Sequence, residues 1–157
     1  MSRPKVQIKA VAFDVDGVLT DGTFCWGPGK AEWKRFSFRD VMGISSASKA
    51  GLVFALISGE KNDLISRYAR KMNIKIVYQG CKDKASALRS FAESQGLELA
   101  QVCFMGDDVN DLAALKLAGL SAAPADAHKS VLAVAKFIAK RPGGNGAVRE
   151  LLDFLTK

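Results

Sequence analysis

The sequence predicts an α/β fold, a Rossmann-like parallel sheet flanked by helices, with a β-hairpin inserted after the first strand. Three observations predict it. The apolar runs "VAFDV", "LVFALIS", "IKIVY" and "VCFMG" are short and rich in β-branched or aromatic residues, the composition of strands buried on both faces. Amphipathic stretches of helical period lie between them, and strand alternating with helix builds a parallel sheet with right-handed crossovers. The polar residues suited to chemistry collect at the carboxyl ends of the runs, where open parallel sheets bind ligands.

In chain order, the first strand is expected over 11–15 and ends in "DVDG". The segment "TFCWGPGKAEWKRFSF", 23–38, alternates on both sides of the turn "GPGK" and reads as a hairpin. A two-stranded ribbon alone is marginal in water, so Phe24, Trp26, Trp33 and Phe36 must pack on something, either their own domain or another subunit. Helix is expected over 41–50, a second strand over 52–58, helix over 62–72 and a third strand over 74–78. Helix over 84–95, strand over 102–106 and helix over 110–118 follow. The pieces 120–122 and 137–138 are expected as short strands, and 146–156 as a closing helix.

A length of 157 residues fits one domain over 1–157. No apolar run approaches the eighteen or so residues that cross a bilayer, and "MSRPKVQIKA" lacks a signal-like apolar stretch, so a cytoplasmic protein without a membrane partner is expected. Cys25, Cys81 and Cys103 form no C-x-x-C pair, which argues against a zinc site or a disulfide framework. The net charge of +7 favours an anionic partner. The basic residues are scattered and not interleaved with aromatics, so a small phosphorylated molecule fits better than nucleic acid.

Asp14 and Asp16 close the first strand, Ser58 and Gly59 the second, and Asp107 and Asp108 the strand of "CFMGDD", while Lys84 opens a helix just beyond the third strand. A period of two sends Asp14 and Asp16 the same way. With Asp107 beside them, these anions repel unless a cation intervenes, and hard oxygen donors suit Mg2+, which keeps room for water and substrate phosphate. Asp14 can then attack phosphorus, and Asp16 can protonate the leaving alcohol and deprotonate the hydrolytic water. Lys84 and Ser58 can hold the phosphoryl oxygens.

"FDVDGVLTDG", "LISG", "KDK" and "GDDVNDLAAL", in that order, resemble the four motifs of the haloacid dehalogenase superfamily of phosphatases. The resemblance implies Asp14 as nucleophile, Asp16 as acid/base, Ser58 and Lys84 as phosphate-binding residues, and Asp107 as a magnesium ligand with Asp14 and the Asp16 carbonyl. Asp108 and Asp111 would support those ligands from behind. "VYQGCKDK", "GLSAAPADAH" and "RPGGNGAVRE" extend the likeness to the capless subfamily that acts on 3-deoxy-D-manno-octulosonate 8-phosphate or 2-keto-3-deoxynononate 9-phosphate. That subfamily implies a homotetramer joined through its hairpins, a C-terminal tail with Arg149 reaching a neighbouring site, and a product destined for lipopolysaccharide or a sialic-acid-like glycan.

The chain departs from the eight-carbon pattern at "ISGEKN", where Glu60 replaces an expected arginine. Glu60, with Lys71 eleven residues on, resembles the nine-carbon enzymes and makes both residues candidates for sugar binding beside Gly59. "RDVMGI" also lacks the expected "RDG". Two other classes share some features. A receiver-type phosphoacceptor domain has an acidic pair, a hydroxyl residue and a lysine, but its lysine follows the hydroxyl residue on the last strand, whereas here Asp107 and Asp108 come after Lys84. A non-catalytic oligomerisation module of sugar-acid activation would be expected to lose Asp14 or Asp16. The run "GGNG" reads as a phosphate cradle or a turn before the last helix, and His128, alone of its type, as non-catalytic.

Overall fold

The structure is a computed structural model and describes residues 6–157. Its elements are β1 (Ala10–Phe13), a hairpin of β2 (Cys25–Trp26) and β3 (Glu32–Trp33), α1 (Phe38–Lys49) and β4 (Val53–Ile57). There follow α2 (Asp63–Lys71), β5 (Ile76–Tyr78), α3 (Lys84–Ser94), β6 (Val102–Met105) and α4 (Leu112–Leu117). The chain closes with β7 (Leu120–Ala123), α5 (Lys129–Leu132), β8 (Phe137–Ile138) and α6 (Ala147–Thr156). Single 3-10 turns, Leu99–Gln101 and Val109–Asp111, lead into β6 and α4.

Six strands form one sheet in the order β5-β4-β1-β6-β7-β8, every pair parallel. The chain leaves β1 toward β4 and β5, then returns to lay β6, β7 and β8 on the other side. This reversal beside β1 opens a crevice at the strand ends. Alternation along β1 divides the core. Val11 and Phe13 pack with Ile44 of α1, Ile65 of α2 and Leu151 of α6, while Ala10 and Ala12 pack with Leu88 and Phe91 of α3 and Leu115 of α4.

Helix starts are chemically marked. Asn62 caps α2 by accepting from Leu64 N at 2.8 Å, and Asp83 caps α3 by accepting from Ser86 N at 2.9 Å. Buried Asp40, inside α1, accepts from the backbone N–H groups of Gly146 and Arg149 at 3.2 and 2.8 Å and so ties α1 to the start of α6. His128 is the cap of α5, its Nδ1 accepting from Ser130 N at 3.2 Å.

One expectation needs correcting. The first strand ends at Phe13 and the chain then turns, so strand alternation does not carry Asp16 to the side of Asp14. The hairpin folds back only in part: Phe36 stacks on Tyr68 with ring centroids 4.3 Å apart, whereas Trp26 and Trp33 stay 78% and 60% exposed.

Candidate active site

The carboxyl ends of β1, β4 and β6 meet around a cavity of about 420 Å³ lined by Asp14, Asp16, Ser58, Gly59, Glu60, Lys84, Asp107 and Asp108, together with Gly22 and Asn110. The sheet explains the convergence: β1 lies between β4 and β6, so the residue after each strand faces the same crevice. At the floor, Lys84 Nζ lies 3.0 Å from Asp14 Oδ1 and 2.7 Å from Asp111 Oδ1, and all three residues are buried. Asp14 Oδ1 also accepts from Val15 N at 2.7 Å.

Asp111 is enclosed on both oxygens, because Oδ2 accepts from the backbone N–H groups of Asp107 and Asp108 at 2.9 and 3.2 Å. It shapes the loop after β6. Asp108 caps the following 3-10 turn through Val109 N at 2.7 Å. Asp107 is different, for its Oδ1 is buried and takes no hydrogen bond. A buried carboxylate oxygen without a donor is costly unless a cation meets it.

Single carboxylate oxygens of Asp14, Asp107 and Asp111 lie within 4.8 Å of one another. Burial, reinforced by the charge of Asp111 and opposed by Lys84, raises the Asp14 carboxyl to about 7. Burial and the charges of Asp14, Asp111 and Asp108, again opposed by Lys84, push Asp107 up to about 8. For Lys84, burial pulls the ammonium down but Asp14 and Asp111 outweigh it, so it is held above the usual lysine value. The hard oxygen donors and the orphaned Asp107 Oδ1 fit a magnesium ion. Asp16 lies outside this group of carboxylates; only its backbone carbonyl remains as the ligand implied by the resemblance.

Gly17 explains why glycine follows Asp16. Its φ is +85°, and an added Cβ would collide with the Asp107 carboxylate. From behind, Gly143 packs directly on the backbone of Gly17 and Thr20. The "GGNG" segment is therefore a brace for the loop that carries Asp14 and Asp16.

The rim carries Ser58, Glu60 and a residue the sequence did not single out. Ser58 is buried and its Oγ accepts from Glu60 N at 3.2 Å. Lys34, one residue past β3, lies 2.8 Å from both carboxylate oxygens of Asp16 and 2.6 Å from Glu60 Oε2. Burial pulls its ammonium down, but the hydrogen bonds to Asp16 and Glu60 prevail and hold it above its usual value. Asn110 is a further lining residue that sequence reasoning passed over, although it stands within the "GDDVND" motif.

Two proposed sugar ligands lie elsewhere in this chain. Lys71 lines an adjacent cavity of about 600 Å³ with Lys34, Phe36, Arg67 and Tyr68. Arg149 pairs with Asp153 at 2.9 Å, its stem packed against Gly43.

The model of a haloacid dehalogenase-like hydrolase matches residues 70–151, just over half of the chain. The 3-deoxy-D-manno-octulosonate 8-phosphate phosphatase of Escherichia coli (strain B / BL21-DE3) is 36% identical over 148 residues, 94% of this chain and 79% of the relative. The chain belongs to the haloacid dehalogenase-like hydrolase family. Within the family it is a phosphatase, and the receiver-type reading is set aside. The relative from Yersinia pestis is 35% identical over the same shares.

Solved family structures agree. The Moraxella catarrhalis 3-deoxy-D-manno-octulosonate 8-phosphate phosphatase, in complex with magnesium, phosphate and KDO, superposes with a TM-score of 0.92 at 34% identity, covering 94% of this chain and 85% of that one. The cobalt-bound Haemophilus influenzae enzyme gives 0.91 at 35% identity, covering 95% and 87%. Among the described residues no helix is long and apolar enough to cross a membrane.

Proposed function

We propose that this chain is a magnesium-dependent phosphomonoesterase that hydrolyses 3-deoxy-D-manno-octulosonate 8-phosphate through an aspartyl-phosphate on Asp14. The observation that carries the mechanism is the buried carboxylate of Asp14 held 3.0 Å from Lys84 at the floor of an acid-lined cavity. The named activity of the relatives and the KDO-bound Moraxella structure support the substrate.

Asp14 would attack phosphorus as the bond to the sugar oxygen breaks, and Asp16 would give that oxygen its proton. Asp16 would then take a proton from water as the water oxygen displaces Asp14 and frees phosphate. Lys84, the Ser58 hydroxyl and the Gly59 backbone would hold the phosphoryl oxygens, with Asp111 fixing Lys84. Magnesium, held by Asp14, Asp107 and the Asp16 carbonyl, would neutralise charge on the phosphoryl group, with Asp108 and Asp111 shaping the loop beneath.

Glu60 favours a second substrate, 2-keto-3-deoxynononate 9-phosphate, since a rim carboxylate accepts hydroxyl or amine donors and repels a second anion. The exposed Trp26, Trp33 and Phe38 support a homotetramer joined through its hairpins, in which Lys71 and Arg149 would reach a neighbour's substrate. Residues 1–157 would form one catalytic domain acting in the cytoplasm, in lipopolysaccharide precursor synthesis or, on the second reading, in a sialic-acid-like route. Side-by-side kcat/KM for the two sugar acids with magnesium tests the choice. A preference of about tenfold, near 1.4 kcal/mol of differential transition-state binding, decides it. Preference for the nine-carbon acid overturns the first assignment.

A further inference from the structure

We propose that Lys34, brought in by the hairpin, is a positioning residue that aims the Asp16 carboxylate at the leaving oxygen of the substrate. The inference rests on the acid/base reading of Asp16 and goes beyond it, because it gives the hairpin a part in catalysis. Asp16 stands on a turn after β1 with 31% of its side chain exposed, and a short carboxylate in such a place samples several rotamers unless something holds it. Thr20 Oγ1 reaches it only at 3.5 Å. Lys34 Nζ reaches both of its oxygens at 2.8 Å and is the principal constraint.

Lys34 is itself anchored. Glu60 Oε2 accepts from it at 2.6 Å, and Glu32 Oε1 stands 3.9 Å away. The same Glu32 oxygen accepts from Asn62 Nδ2 at 2.6 Å, and Asn62 caps α2. The hairpin is thus pinned to the rim at two points. An ammonium has three N–H donors, and the oxygens of Asp16 and Glu60 occupy them, so Lys34 orients a carboxylate and does not grip a free anion. Lys84 holds the floor of the site, and Lys34 holds its proton-transfer side.

The test compares kcat/KM of wild type, Lys34→Met, Lys34→Arg and Asp16→Asn on p-nitrophenyl phosphate, on glycerol 3-phosphate and on the octulosonate 8-phosphate. The aryl leaving group departs without a proton, whereas both alkyl leaving groups need one. The alkyl-to-aryl ratio is expected to fall about tenfold or more in Lys34→Met, equally for the two alkyl substrates, and to return within about threefold of wild type in Lys34→Arg. Turnover of the aryl phosphate itself reports that the variant is folded. An unchanged ratio, with all three substrates slowed alike, makes Lys34 structural and overturns the proposal. A loss confined to the sugar acid and carried by KM makes it a substrate ligand and also overturns it. A wild-type ratio in Asp16→Asn overturns the acid/base reading and this inference together, whereas a fallen ratio there beside an unchanged one in Lys34→Met overturns this inference alone.

Discussion

Two lysines meet the two aspartates of the first loop, and they come from different kinds of structure. Lys84 opens α3, is buried, and binds Asp14 and Asp111 where the carboxyl ends of the sheet converge. Lys34 comes from a two-stranded insert and binds Asp16 and Glu60 at an open rim, where Glu60 is 55% exposed. The floor is fixed by strand order and low dielectric, so its charges are strongly coupled. The rim is fixed by a few hydrogen bonds to an insert, and it can change with the substrate while the floor stays the same.

Breaking the floor has the largest expected effect. Lys84→Met leaves Asp14, Asp107 and Asp111 without their buried cation, so turnover is expected to fall about a thousandfold. In metal-free protein at pH 8, urea unfolding should show a loss of about 3–5 kcal/mol, the scale for stranding buried charge. A variant within threefold of wild-type turnover would contradict the account.

The coupling also predicts a pH dependence. In the metal-free fold the Asp14 and Asp107 carboxyls are raised from 3.8 to about 7 and about 8, so between those values the folded state binds more protons than the unfolded chain. The contribution of these two groups to stability is therefore full below their ordinary value and is lost as pH rises from about 4 to about 8. Magnesium takes the place of those protons, so its effect on Tm is expected to be larger at pH 8 than at pH 6. Equal shifts at the two pH values would show that the carboxylates are not coupled as described.

The smallest effect belongs to the rim. Glu60→Gln removes the charge of the exposed half of an ion pair whose lysine side chain is buried, and Lys34 keeps Asp16 as its anion, so stability should change by about 1 kcal/mol. Its kcat/KM on the sugar acid should change by about tenfold, with a smaller change on an aryl phosphate. Equal changes on both substrates would place Glu60 with the floor.

The difference between floor and rim also decided what could be read from the chain. Runs such as "VCFMG" are buried on both sides and carry a carboxylate immediately beyond, so strand and site residue are legible together. Asp111 sits in the same motif, though its grip on the backbone of Asp107 and Asp108 depends on the 3-10 turn it closes. Lys34 lies 18 residues from Asp16 and 26 from Glu60, and their meeting depends on how the hairpin folds back, which no local period encodes. Only the resemblance to the nine-carbon enzymes groups Lys71 with Glu60. It is the last residue of α2, and a rise of 1.5 Å per residue carries it about 12 Å from the helix start, into the next cavity. Helix α5 spans only four residues, too short for its period to stand out.

The central claim is that Asp14 takes the phosphoryl group while Asp16 handles protons. Acid quenching of turnover on substrate carrying radiolabelled phosphate, followed by peptide mapping, tests it most directly. The account predicts acid-trapped label on the peptide that contains Asp14, absent in Asp14→Asn. Full turnover by Asp14→Asn, or label on any other residue, would contradict it.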